Sequence, residues 1–405
     1  MKSITKKVIS GALVLCMAAS TCLAADTTSA SDTQTDTTPA PKAVEMPESG
    51  AITKLSFEQL MPTMEAYSPT MLSLNESKAA LNAFNREKAR DSLLKTYNGL
   101  TDLSFAMGDS STKMMIASQQ SSLKTQLDAL DEDTYQKTYE DSILQIESSI
   151  SQVTMGAQTL YINIATMEDQ LKTTNQQIAS LQRTLTSTEK MYQLGLASSL
   201  TLETLKTNLS TAQSGAKSLE YQIKTCKQSL QQLMGSKTTG ELTLGAVPEV
   251  TSEQVSAINY DTDLEKALTK NANVVSSRHS MEDIKDDIDD ATYGGYRFEQ
   301  LRHNYQAAVE TYNANVSTFK ASFQTAYEAV SEKQRLIQTE ENELALEKKN
   351  LDTSACKYKL GLISRNAYLD QQDTYASAQA DVSAAKLALY QAYNTYQWAT
   401  QGVVS

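Results

Sequence analysis

Proline and glycine are what this chain has least of. Of its 405 residues only 6 are proline and 14 are glycine. Every proline except Pro248 lies at or before Pro69. Between Gly295 and Gly361 neither occurs over 65 residues, room for a single helix of roughly 97 Å at 1.5 Å per residue. That scarcity argues against compact globules, and the dominance of Ala, Leu, Ser, Thr, Gln, Glu and Lys is that of long coiled coils. Histidine is nearly missing too. His279 and His303 are the only two, and neither has neighbours at metal-ligand spacing. Glu282, Asp283, Asp286 and Asp287 follow His279 and read as a solvated acidic helix face. No nucleophile elbow, phosphate loop or catalytic Cys/His pair is present. The sequence therefore offers no catalytic residue, no cofactor site and no metal site, and reads as not an enzyme. A net charge of -12 without a basic strip excludes nucleic acid as a partner.

The N-terminus reads as an export signal over residues 1–25. Lys2, Lys6 and Lys7 precede a short apolar core from Val8 to Met17, and small residues run on to Ala24 and Ala25. The apolar run is too short to span a bilayer. Cys16 and Cys22 follow Leu15 and Thr21, a poor setting for a lipidation site. Cleavage leaves Cys226 and Cys356. Cys226 lies 31 residues beyond Gly195, roughly 46 Å along a helix, whereas a disulfide needs Cα atoms within about 7 Å. Residues 26–50, rich in Ser, Thr, Ala, Pro and Asp, read as a disordered linker.

What the chain does have is a repeat. Tyr192-Gln193-Leu194-Gly195-Leu196-Ala197-Ser198 returns 166 residues later as Tyr358-Lys359-Leu360-Gly361-Leu362-Ile363-Ser364. Each copy lies between long helical patterns and reads as a turn closing a hairpin. Gly195 and Gly361 supply a left-handed C-cap, and Ser198 and Ser364 cap the returning helix. Before the first turn runs the stripe Ile143, Ile150, Ala157, Ile164, Leu171, Ile178, Leu185, Tyr192. Its counterpart is Val309, Val316, Phe323, Val330, Ile337, Leu344, Leu351, Tyr358. After the turns, Leu202, Leu209, Ala216, Ile223 and Leu230 map onto Tyr368, Tyr375, Val382, Leu389 and Tyr396. Unbroken seven-residue spacing means left-handed supercoiled helices, and the duplication fixes the architecture.

In chain order, helical pattern runs from Leu55 to Tyr97 with a break at Ser68-Pro69. Residues 98–133, with Gly99, Gly108 and an apolar cluster at Met114, Met115 and Ile116, read as a loop with one short helix. Helices are expected over 135–193, 199–234, 262–292, 297–357 and 365–400. Residues 240–247 alternate briefly and are the best strand candidate, and Gly294-Gly295 reads as a tight reversal. The fold class is mainly all-α. Residues 51–250 form repeat 1, and residues 251–405 form repeat 2.

The two Tyr-x-Leu-Gly-Leu-x-Ser turns, the duplicated hairpins and Ser68-Pro69 resemble the TolC family of outer membrane efflux ducts over residues 55–402; Asn273-Val274 stands at the second repeat's counterpart. The resemblance implies a homotrimer forming a hollow α-helical cylinder in the cell envelope, at the outer membrane or in the periplasm. It implies docking of a periplasmic adaptor and passage of substrates from an inner-membrane transporter. Tyr192, Leu194, Gly195, Leu196, Ser198, Tyr358, Leu360, Gly361, Leu362 and Ser364 would then be adaptor-facing residues, with a gate around Tyr358 and Asp370. Two family positions near that gate hold Ala367 and Ile363 here.

The family's membrane barrel is built from strands inserted between the helices of each repeat, each needing about 9 to 11 residues. Residues 291–296 cannot hold two of them, and Leu100, Leu103 and Phe105 offer at most one short strand. The sequence thus predicts a duct-like protein with little or no barrel. A non-conducting envelope coiled coil, serving as scaffold or interaction protein, is the alternative. Residues 98–133 are the expected place of any membrane or protein contact.

Overall fold

The computed structural model describes residues 42–47, 50–106, 109–289 and 295–404. The expected signal, most of the linker and Gly294 of the expected reversal lie outside the described residues. The described chain runs β1 (Lys54–Leu55), α1 (Phe57–Tyr67), α2 (Pro69–Ala83), α3 (Arg86–Ala106), α4 (Ser110–Asp128), α5 (Glu132–Gln193) and α6 (Ser199–Leu233). It continues with β2 (Thr243–Leu244), α7 (Ser252–Ser256), α8 (Tyr260–Lys270), α9 (Ala272–Asp289), α10 (Tyr296–Lys359) and α11 (Arg365–Thr400). The fold is mainly α, as expected. Among the described residues, strand is confined to β1 and β2, which pair in parallel with Leu55 opposite Leu244.

The heptad positions explain the two long hairpins, α5–α6 and α10–α11. Along all four helices the predicted stripe is buried or half-buried, except at the turn tyrosines Tyr192 and Tyr358. Ala157, Ile164, Phe323, Val330, Leu230 and Tyr396 are nearly inaccessible to solvent.

Two readings of the sequence are corrected. Residues 98–133 are not a loop with one short helix and at most one short strand at Leu100, Leu103 and Phe105; most of them belong to the helices α3 and α4. α3 buries none of its residues and α4 only Ile116, so neither shows a 3.6-residue apolar period in sequence. The helix expected at 262–292 divides at Asn271, whose side chain accepts the Val274 N–H at 3.0 Å and caps α9. The counterpart of the Ser68 break is therefore Asn271, two residues before Asn273.

The described residues form two units. The first holds residues 73–150 and 271–313. Within it, Lys78 pairs with Glu147 at 2.7 Å, and the Tyr139 hydroxyl donates to Asn82 at 2.6 Å. The acidic face of α9 is not simply solvated. Asp283 accepts from Lys137 at 2.9 Å, and His279 is buried with its Nδ1 2.7 Å from Asp141.

The second unit holds residues 42–72, 151–270 and 314–404 of those described. Its centre is Tyr161. The hydroxyl lies 2.8 Å from the Gly245 carbonyl oxygen and 3.1 Å from that of Leu55, tying the β1–β2 pair to α5. The Tyr161 ring meets Phe57 edge-on at 5.3 Å, and Phe57 meets Tyr390 of α11 at 5.1 Å. Buried Gln231 donates to the Ile52 carbonyl at 2.9 Å and accepts the Thr239 and Gly240 N–H groups. Residues 42–47 lie against α1, the Val44 N–H donating to Thr63 Oγ1 at 3.0 Å. Gly235 leaves α6 at φ +69°, and a Cβ there would stand 2.2 Å from the Tyr67 carbonyl oxygen.

Gly235→Ala combines a left-handed backbone with that collision and is expected to cost about 3 kcal/mol or more in urea unfolding. Burial pushes the Tyr161 and Tyr390 phenols up to about 12, and burial followed by the bond to Asp263 also raises Tyr396. An unfolded chain ionises these groups near 10. The contribution of Tyr161 and Tyr390 to stability is therefore complete below pH 10 and is lost as pH rises through about 12. Thermal unfolding followed by circular dichroism is expected to show this alkaline fall, with a shallower slope in Tyr161→Phe.

Candidate functional site

The two long hairpins reverse over residues 194–198 and 360–364, and the reversals are built alike. In the first, the Leu196 N–H donates to the Met191 carbonyl at 2.8 Å and the Gly195 N–H to that of Tyr192 at 2.9 Å. In the second, Leu362 donates to Lys357 at 2.8 Å and Gly361 to Tyr358 at 3.0 Å. This nested pair of bonds is a Schellman motif, which needs a left-handed residue. Gly195 and Gly361 both have φ +72°, and a Cβ on either would meet nothing within 4 Å. Backbone conformation alone selects glycine at both sites. Ser198 Oγ then accepts the Thr201 N–H, and Ser364 Oγ the Ala367 N–H, each at 3.1 Å.

The turns present apolar side chains to solvent. Leu194, Leu196, Leu360 and Leu362 are each at least 70% exposed, and Tyr192 and Tyr358 are exposed as well. Eight of the ten tip residues named from sequence thus fall in these two equivalent turns, and Tyr192 and Tyr358 stand in the last helical turns of α5 and α10 just before them. The turns also share one end of the second unit. α11 runs antiparallel against α5: Trp398 donates to Gln158 at 2.8 Å, Ser383 to Asp169 at 2.6 Å, and Asp373 pairs with Arg183. Arg183 precedes Gly195 by twelve residues and Asp373 follows Gly361 by twelve, so the two reversals stand level.

The expected gate residues are placed differently from each other. The Tyr358 ring lies parallel to that of Tyr368, with centroids 5.2 Å apart. Asp370 is exposed in the first turns of α11. The first repeat has Leu202 and Thr204 at the corresponding positions, so the aromatic stack and the carboxylate belong to the second hairpin only. Sequence reasoning missed Tyr368 as the partner of Tyr358 and the Arg183–Asp373 pair. The equal spacing of that pair from its glycines was the available signal.

Residues 131–236 match the family model described as outer membrane efflux protein. The match spans α5, the first turn and α6. The resemblance to the TolC family holds. That family is one of efflux ducts and not of enzymes. Among solved structures, the outer-membrane channel OprN is similar at 12% identity, with a TM-score of 0.59 over 92% of this chain and 98% of that one. A membrane protein from Pseudomonas aeruginosa matches at 12% identity and a TM-score of 0.54, over 89% and 96% of the two chains. The CmeC outer membrane channel of Campylobacter jejuni matches at 12% identity and a TM-score of 0.51, over 67% and 68%. At these identities the likeness is one of fold. No curated protein sequence matches.

In this TolC-like chain Gly195→Ala and Gly361→Ala are each expected to cost about 1 to 2 kcal/mol, from backbone conformation alone. Ser198→Ala and Ser364→Ala are each expected to cost about 1 kcal/mol through loss of the cap. Urea unfolding of single and paired variants measures both, with near-additive effects for changes in different turns.

Proposed function

We propose that the protein is the duct component of an envelope export system. Three copies associate into a hollow α-helical cylinder; the two turns of each copy dock a periplasmic adaptor, and substrates enter from an inner-membrane transporter. The pair of level, matched turns carries this reading. Each offers two exposed leucines on a rigid, doubly capped reversal, a form suited to burial against a partner helix pair. The heptad stripes are only half-buried toward the turns, and Tyr221 and Leu346 are exposed, which leaves apolar surface for neighbouring copies. The chain does no chemistry in this role; it encloses a path. Tyr358, stacked on Tyr368, and exposed Asp370 form the narrowing at the turn end, with one carboxylate from each copy. The export signal read from the sequence at residues 1–25 supports an envelope location for the mature chain.

A non-conducting envelope scaffold is the second reading. The confinement of strand to β1 and β2 among the described residues favours it.

The mass of the purified mature protein in light scattering separates the two. A trimer is expected, and a monomer would leave the scaffold as the better reading. Reconstituted in planar bilayers, the wild-type protein is expected to conduct with a current sensitive to divalent cations. Asp370→Ala is expected to remove that sensitivity, and an unchanged response would dismiss the carboxylate gate.

A further inference from the structure

The bonds of the second unit join its long helices in the order α6, α5, α11, α10. Lys227 of α6 pairs with Glu168 of α5 at 2.6 Å. α5 meets α11 from Arg183 and Asp373 to Gln158 and Trp398. α11 meets α10 where Gln371 donates to Glu347 at 2.7 Å and where the Tyr396 and Phe323 rings lie 5.4 Å apart. α5 and α11, each flanked on two sides, leave few side chains open, whereas α6 and α10 each leave a whole face open. Those two helices are the edges of the layer.

Chain direction alternates along this order, so α6 of one copy beside α10 of the next continues the antiparallel pattern. Copies related by rotation about an axis parallel to the helices keep all their turns at one height. The two turns of one copy are themselves level. A residue at a given distance after Gly195 therefore faces the residue at the same distance before Gly361 of the neighbour. That register matches unlike groups. Tyr221, 71% exposed, stands 26 residues after Gly195, and exposed Arg335 stands 26 before Gly361, a pairing of ring and guanidinium. Lys224 and Glu332 are both 29 residues from their glycines. Glu332 accepts Lys333 of its own helix through one carboxylate oxygen. Lys217, at 22 residues, is one helical turn from Glu343, at 18. Leu346, 56% exposed, comes level with Ser210, each 15 residues out, where a small side chain admits it. Two copies meeting α6 to α6 would instead set Lys217 and Lys224 against their equivalents. Charge thus selects the unlike edge, and contacts between unlike edges close into rings.

We propose that the open face of α6 docks on the open face of α10 of a second copy, with Tyr221 stacked on Arg335 and Lys224 paired with Glu332 across the contact. The proposal rests on the three-copy duct reading and adds to it the edges, the register and the residues that join one copy to the next.

Light scattering of the full mature chain over a range of concentrations tests it. Lys217→Glu with Lys224→Glu is expected to raise the concentration at half-assembly about tenfold, and Glu332→Lys with Glu343→Lys to do the same, both with helicity unchanged. All four changes in one chain are expected to restore assembly, since each reversed charge then meets its opposite. As a second measure, Tyr221→Cys with Arg335→Cys, in a chain also carrying Cys226→Ala and Cys356→Ser, is expected to oxidise to a covalent trimer. Tyr221→Cys with Leu346→Cys stands 11 residues out of level and is expected not to link. Suppose the wild type is a trimer. If the paired reversals then leave assembly unchanged, if the fourfold variant is as weak as either pair, or if only the off-level cysteines link, this contact is overturned and the duct reading stands. A monomeric wild type would overturn both.

Discussion

A coiled seam must keep its register through a reversal. In a helix each residue turns the side-chain direction by about 100°, so one residue too many or too few points the returning stripe away from its partner. The two reversals of this chain meet that demand with one device: a left-handed glycine closing a Schellman pair, then a serine capping the next helix. The packing of the second unit follows from it. With both turns fixed in length and shape, α11 meets α5 in antiparallel register from Arg183 and Asp373 down to Gln158 and Trp398.

Features that repeat with the helix period were legible in the sequence. The end of α5, the bounds of α6 and α11 to within a residue, the two glycines and the serine caps read correctly, because one residue type at one spacing decides each of them; α5 begins three residues earlier and α10 ends two residues later than expected. The gate pair read from sequence has a weaker basis, since Tyr358 and Asp370 sit on separate helices. The hairpin of α3 and α4 was not legible, because a helix that buries nothing leaves no apolar period. The split at Asn271 was hidden for the opposite reason: a helical pattern ran on past a capping residue. His279 read as part of a wet acidic face because Asp141, its partner, lies 138 residues away in sequence. The tie made by the Tyr161 hydroxyl to two carbonyls depends on residues far apart in the chain, and no local pattern announces it.

The repeats also differ where they solve the same problem. At the first break, Pro69 opens α2 without a backbone N–H, after an extended Ser68. At the second, Asn271 supplies a side-chain acceptor instead. At the turns, the second hairpin stacks Tyr358 on Tyr368 where the first has Tyr192 and Leu202. The shared framework is thus set by backbone geometry, and the divergence is confined to side chains around it.

The ion pair set twelve residues from each glycine couples the dimensions of the two hairpins. Lengthening α5 and α6 alone would carry Arg183 past Asp373 and unseat every contact below it. An insertion is tolerated only as whole heptads placed in all four arms together. The reach of the two hairpins is therefore quantised in steps of one heptad.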